Sequence, residues 1–172
     1  MIRKAALAAV LACALPAQAV DGISYAMGRG DGTHMWRLGA QWDWDRKWFA
    51  ERRWNIVAYW DFTVGVWDSP QNTVTDLALT PTFRLQQRDF SRVAPYLEGA
   101  IGFHLLSEVK VTDSRILGTN FQFGDHVGVG ARFGEQRRYD LALRLQHLSN
   151  GGLSKRNPGI NFVQLRFAYH FR

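Results

Sequence analysis

The sequence has a single cysteine, Cys13, which lies in an apolar run from Ala5 to Leu15 behind Arg3 and Lys4. The run ends on Ala17-Gln18-Ala19, a small-x-small cleavage pattern, so residues 1–19 read as a secretory signal peptide and the mature chain is expected to start at Val20. Val10-Leu11-Ala12-Cys13 offers a second reading, lipoprotein processing that leaves a lipid-modified Cys13, but it cuts the apolar run short and ignores the downstream site. Either route takes the protein out of the cytoplasm. A chain cleaved after Ala19 holds no cysteine, which excludes a disulfide framework and thiol chemistry.

Long apolar runs are missing as well. No stretch of about 18 apolar residues follows the leader, so no helix is expected to span a membrane, and sustained helical periodicity is absent too. Charge of one sign is scarce: the formal net charge of +6 falls to +4 when Arg3 and Lys4 leave. That excess is too diffuse for a nucleic-acid reader and suits an anionic lipid headgroup surface. No phosphate loop or heptad repeat appears, and His34, His104, His126 and His170 lack ligand spacing, so neither a cofactor nor a metal is expected. About 150 mature residues make one domain, 20–172.

What the chain has is alternation, in eight segments. They run from about Gly22 to Arg29, His34 to Asp45, Trp54 to Val66, Asp76 to Gln86, Val93 to Leu105, Asn120 to Phe133, Tyr139 to Ser149 and Asn161 to Phe171. Turn chemistry separates them at Gly30-Asp31-Gly32, Asp68-Ser69-Pro70-Gln71-Asn72 and Gly134-Glu135-Gln136. Pro81 is awkward within a paired strand and marks an expected bulge. In each segment one side is bulky and apolar, rich in Trp and Phe. The other carries glycine, amides and the charges Arg37, Asp61, Asp76, Arg84, Glu98, Arg132, Asp140, Arg144 and Arg166.

Alternation alone does not say which side faces in. A soluble barrel or sandwich would put the apolar side inside. Here the polar set is mixed in sign and able to pair, and with its small glycines it suits the narrow, filled lumen of an eight-stranded barrel. The apolar set then faces lipid, with tryptophans near segment ends as interfacial girdles. The expected fold is therefore all-β, an eight-stranded antiparallel transmembrane β-barrel, located in the bacterial outer membrane. Closure removes the open edges that hydrocarbon cannot tolerate. With both termini periplasmic, the two longest uncommitted loops, Leu106 to Gly118 and Asn150 to Ile160, fall outside. Tyr169-His170-Phe171-Arg172 resembles, one residue displaced, the terminal signal read by the barrel assembly machinery, an expected partner during biogenesis.

The seventh segment ends unusually. His147 and Ser149 share the parity of Tyr139, Leu141, Leu143 and Leu145, so a candidate general base and a candidate nucleophile close an apolar, lipid-facing stripe. Asn161 opens the eighth segment on the same face. A seryl hydroxyl needs a base to take its proton, and a neutral imidazole does so near neutral pH once a third group fixes it. Folding segment seven on eight about the loop centre brings Asn161 to His147, and folding six on seven about Gln136 brings Asp125 there. Asp125 is the one acid on the lipid face of its segment. Asn161 and Asp125 both stand as candidates for the third position. A barrel rim with polar residues that only bond loop backbone would produce the same string.

The run Gln146-His147-Leu148-Ser149-Asn150-Gly151-Gly152, followed by Asn157-Pro158-Gly159-Ile160-Asn161-Phe162 and Leu165-Arg166, resembles the carboxy-terminal signature of the outer-membrane lipid A 3-O-deacylases, the PagL family. The eight-strand layout and size are similar over essentially the whole mature chain. The resemblance implies a metal-free serine esterase that removes the 3-linked hydroxyacyl chain of lipid A, with lipopolysaccharide as substrate and outer-membrane lipids as surroundings. It maps the catalytic pair onto His147 and Ser149 and the acidic third member onto Asn161, where this sequence departs from the family. Asn150 and Asn157 match family asparagines and become candidates for holding the oxyanion or supporting the site. Turn chemistry beside Gly151 and before Pro158 is their other reading. Lys155 and Arg156 read as solvated loop charges. Two further functions stay in view: a non-catalytic structural or adhesive barrel of the OmpA or OmpX type, and an acyltransferase of the PagP type. A homodimer is left open.

Overall fold

The computed structural model describes residues 19–88 and 92–171; all of the expected signal peptide but Ala19 lies outside the described residues. Eight strands follow in order: β1 (Gly22–Gly30), β2 (Thr33–Asp43), β3 (Trp54–Asp68), β4 (Thr73–Gln87), β5 (Val93–Leu106), β6 (Phe121–Phe133), β7 (Tyr139–Ser149) and β8 (Ile160–His170). Each pairs antiparallel with the next, and β1 pairs with β8, so the sheet closes into a barrel. β3 and β4 run further than their alternation suggested. Their ladder continues to Asp68↔Thr73.

The exposure pattern decides the direction of the alternation. Ile101 (64% exposed), Val127 (63%) and Leu145 (56%) stand on the outer wall. Such a belt would be a large liability in water and suits hydrocarbon. The interior set is buried and charged. Arg84 bridges Glu98 and Asp140, each at 2.9 Å. Arg144 meets Glu98 at 2.6 Å, and Arg37 meets Asp76 at 2.7 Å. Buried charges of mixed sign are tolerable because they are paired and hydrogen-bonded. The cavity left among Ser24, Arg37, Asp61 and Arg166 is only about 20 Å³, room for roughly one water molecule.

Two features differ from the sequence expectation. Pro81 makes no bulge: β4 and β5 keep the same register on either side of it, Leu79↔Phe103 and Thr82↔Ala100, and only the ladder contact at Thr80–Pro81 is lost. Proline lacks the N–H that a ladder needs, and register survives that loss. The lumen is also not polar throughout. At its outer end Met35, Trp67, Val74, Leu106, Leu148, Ile160 and Phe162 form an apolar cluster with Val111 and Leu117 of the β5–β6 loop. That loop is committed after all, because it inserts two side chains into the barrel mouth as a cap.

Aromatic groups mark both ends of the wall. Trp60 and Phe83 pack within 5.6 Å of Trp44, centroid to centroid, and Trp48 of the β2–β3 connector joins the group. Near the opposite rim Phe103, Phe121 and Phe123 pack edge to face and stacked.

Candidate active site

His147 stands on the outer face near the end of β7. Its cross-strand neighbours on either side are Asp125 of β6 and Asn161 of β8. Both turns fold about the centres read from the sequence, so both candidates for the third position flank the ring. Asn161 makes the hydrogen bond, with His147 Nδ1 at 2.8 Å from its Oδ1. An amide oxygen only accepts, so Nδ1 carries the proton and Nε2 keeps its lone pair. The ring is therefore held in the tautomer that a general base needs.

Two residues on, Ser149 faces the same side, half-buried, with Phe123 opposite it on β6. Two residues of strand separate their Cα atoms by about 7 Å, a gap that an imidazole and a hydroxyl leaning together can close. Leu148, between them, points inward and is fully buried in the apolar cap. One inward side chain thus anchors the two outward ones.

The ring has a second constraint. Gly159 is buried with φ +64°, and a Cβ there would sit 2.7 Å from His147 Cε1 and 3.3 Å from Nε2. Only glycine suits both the left-handed backbone and the close approach. The segment before β8 therefore presses its bare backbone against the imidazole.

Asn150 organises the loop between β7 and β8. Its side chain is buried; Nδ2 donates to the carbonyls of Leu117 and Arg156, both at 2.9 Å, and Oδ1 accepts from Gly152 N at 3.0 Å. Both amide hydrogens are used, which leaves Asn150 none for an oxyanion. Asn157 is exposed, and its Oδ1 accepts the Asn150 N–H at 2.9 Å. Lys155 and Arg156 are exposed on the same loop.

Asp31 and Arg115 join the site although the sequence did not single them out. Asp31 and Gly32 form a two-residue hairpin, both with positive φ, as a type I′ turn requires. The β1–β8 ladder stops at Arg29↔Val163. Beyond it, Asp31 Oδ2 accepts the N–H of Asn161 at 2.9 Å, replacing the missing ladder partner. Arg115 donates to Asp31 Oδ1 at 2.9 Å and reaches the Pro158 carbonyl at 3.4 Å. Three outer loops are thereby tied to the residue that holds His147. The Asp-Gly turn was a visible signal for the hairpin; that β1 would close on β8 at this level was not.

Comparison with known proteins follows the same lines. The family model for lipid A 3-O-deacylase (PagL) matches residues 34–170. The lipid A deacylase PagL of Pseudomonas aeruginosa is 32% identical over 152 residues, which cover 87% of this chain and 85% of that protein. The chain belongs to the lipid A 3-O-deacylase family. A second PagL, from Bordetella bronchiseptica, is 42% identical over 76 residues, 44% of this chain and 41% of the relative. The crystal structure of the outer membrane enzyme PagL superposes with a TM-score of 0.79 at 27% identity, covering 87% of this chain and 99% of that one. Like that PagL, this chain is an outer-membrane β-barrel, and its rim constellation lies within the span matched to the PagL family.

Proposed function

We propose that this chain is a serine esterase that hydrolyses the ester at position 3 of lipid A. The observation that carries the reading is the hydrogen bond from His147 Nδ1 to Asn161, which frees Nε2 two residues from Ser149 on a lipid-facing rim. His147 Nε2 takes the Ser149 hydroxyl proton as Oγ bonds to the ester carbonyl carbon. The tetrahedral intermediate collapses, the bond to the sugar oxygen breaks, and the imidazolium returns the proton to that oxygen. Water then gives its proton to His147 and its hydroxide to the acyl carbon, releasing the fatty acid and restoring Ser149.

Asn161 is neutral, so it orients the ring without neutralising the imidazolium that forms. Asp125, directly across from His147 on β6, supplies the negative charge at longer range. Asn150 supports the loop, and the Asn157 amide with nearby backbone N–H groups holds the oxyanion. The outward placement suits the substrate, whose scissile ester lies at the leaflet boundary while its acyl chain stays in hydrocarbon. An acyltransferase with an interior acyl pocket fits poorly, because paired charges fill the lumen.

A fluorophosphonate probe tests the mechanism on the detergent-solubilised barrel. Peptide mapping is expected to find the adduct on Ser149, absent in Ser149→Ala and much slower in His147→Ala. Labelling that is unchanged in both variants would overturn the assignment.

A further inference from the structure

A cleft of about 420 Å³ opens beside His147 on the outer wall. Its floor is apolar: Val127, Leu145 and Val163 lie side by side across β6, β7 and β8, and Arg29 of β1 completes that row. The row lies one pleat below Asp125, His147 and Asn161. Arg29 lines the β1 side of the cleft, and carboxylates stand on both sides, Asp125 on β6 and Asp31 in the β1–β2 turn. β1 and β7 are two strands apart, about 10 Å, and an arginine stem spans more than half of that distance.

Arg29 shares its face with Ile23, Tyr25 and Met27, all exposed. The carboxylate nearest in sequence, Asp31, is already engaged by Arg115 and by the Asn161 N–H. Arg29 therefore stands without a carboxylate partner among the described residues. A lone cation on a lipid-facing wall is costly unless it reaches the interface and meets an anion there. A guanidinium fork matches a phosphate through paired hydrogen bonds.

We infer that Arg29 is the binding site for a phosphomonoester of the lipid A headgroup. The inference rests on the deacylase reading above and deepens it. A phosphate gripped at the β1 side of the cleft places the sugar ester beside His147, two residues from Ser149, with its acyl chain over Val127, Leu145 and Val163. The loop cations Lys155 and Arg156 are not needed for this grip.

Binding, measured without turnover, tests the idea. Native mass spectrometry of the Ser149→Ala barrel would give affinities for bisphosphorylated lipid A, for each monophosphorylated form and for the fully dephosphorylated lipid. Arg29→Gln, added to Ser149→Ala, is expected to weaken bisphosphorylated lipid A about tenfold while leaving the dephosphorylated lipid unchanged, and Arg29→Lys to restore part of the loss. The monophosphorylated form that retains the Arg29 effect identifies which phosphate is bound. If Arg29→Gln leaves the preference for phosphorylated over dephosphorylated lipid unaltered, the site is not there. Because the readout is affinity, a barrel that binds this way but hydrolyses nothing would sink the esterase reading alone.

Discussion

Among single residues, the proposed hydrolysis depends most on how His147 is held. Asn161→Ala removes the acceptor that holds Nδ1 and should lower kcat by about 10²-fold with KM nearly unchanged, within the range that a positioned base contributes. Asn161→Asp keeps an acceptor in place and should retain most of the turnover. Equal damage from both would mean that Asn161 matters for packing rather than for the ring. Gly159→Ala is the steric counterpart: its Cβ would sit 2.7 Å from the imidazole in a left-handed backbone. Kinetics of that variant should show at least a tenfold fall in kcat, while its gel mobility stays that of folded barrel. The placement of Asp125, His147 and Asn161 in one cross-strand row, with Ser149 two residues along on the same face, was legible in the sequence because period-two parity and two turn centres fix it. Gly159 was not, since a glycine before a strand says nothing of the ring it touches.

Strands and loops carry the next level. Leu148 and Ile160 are fully buried in the apolar cap with Leu117 of the β5–β6 loop, so the cap fixes the strand ends on which the outward residues sit. Leu148→Ala should destabilise the barrel by about 2–5 kcal/mol, as a large-to-small core change does, and denaturant unfolding in micelles would measure it. Asp31→Ala should leave the barrel closed yet loosen Asn161, whose N–H it accepts. Its expected signature is a fall in kcat that Asp31→Glu partly rescues, whereas full activity in Asp31→Ala would show that the loop tie is dispensable. The eight strands were readable from alternation. The cap was not, because Trp67 and Phe162 occupy the parity that elsewhere carries charge, and nothing local told Val111 and Leu117 to turn into the barrel.

Over the whole molecule, the fold separates two tasks that compete in smaller active sites. Paired charges fill the lumen below the apolar cap, while the proposed chemistry is displayed on the outer rim toward lipid. Glu98 shows the first task, since Arg84, Arg144 and the Tyr59 hydroxyl all converge on it. Glu98→Ala would take one carboxylate partner from each of two buried guanidinium groups, leaving Arg84 with Asp140 and Arg144 with Asp61, and should cost about 3 kcal/mol, read as a lower denaturant midpoint with the site geometry otherwise intact. The inward placement of these charges could be argued beforehand from their mixed sign, although their partners depended on registers that only closure sets.

The most direct test of the account is the lipid A mass spectrum from cells expressing this chain and its Ser149→Ala variant. Loss of one 3-hydroxyacyl group with the former and none with the latter is the predicted result. Unmodified lipid A from cells with correctly folded wild-type barrel, and again when that barrel is assayed in detergent, would contradict it.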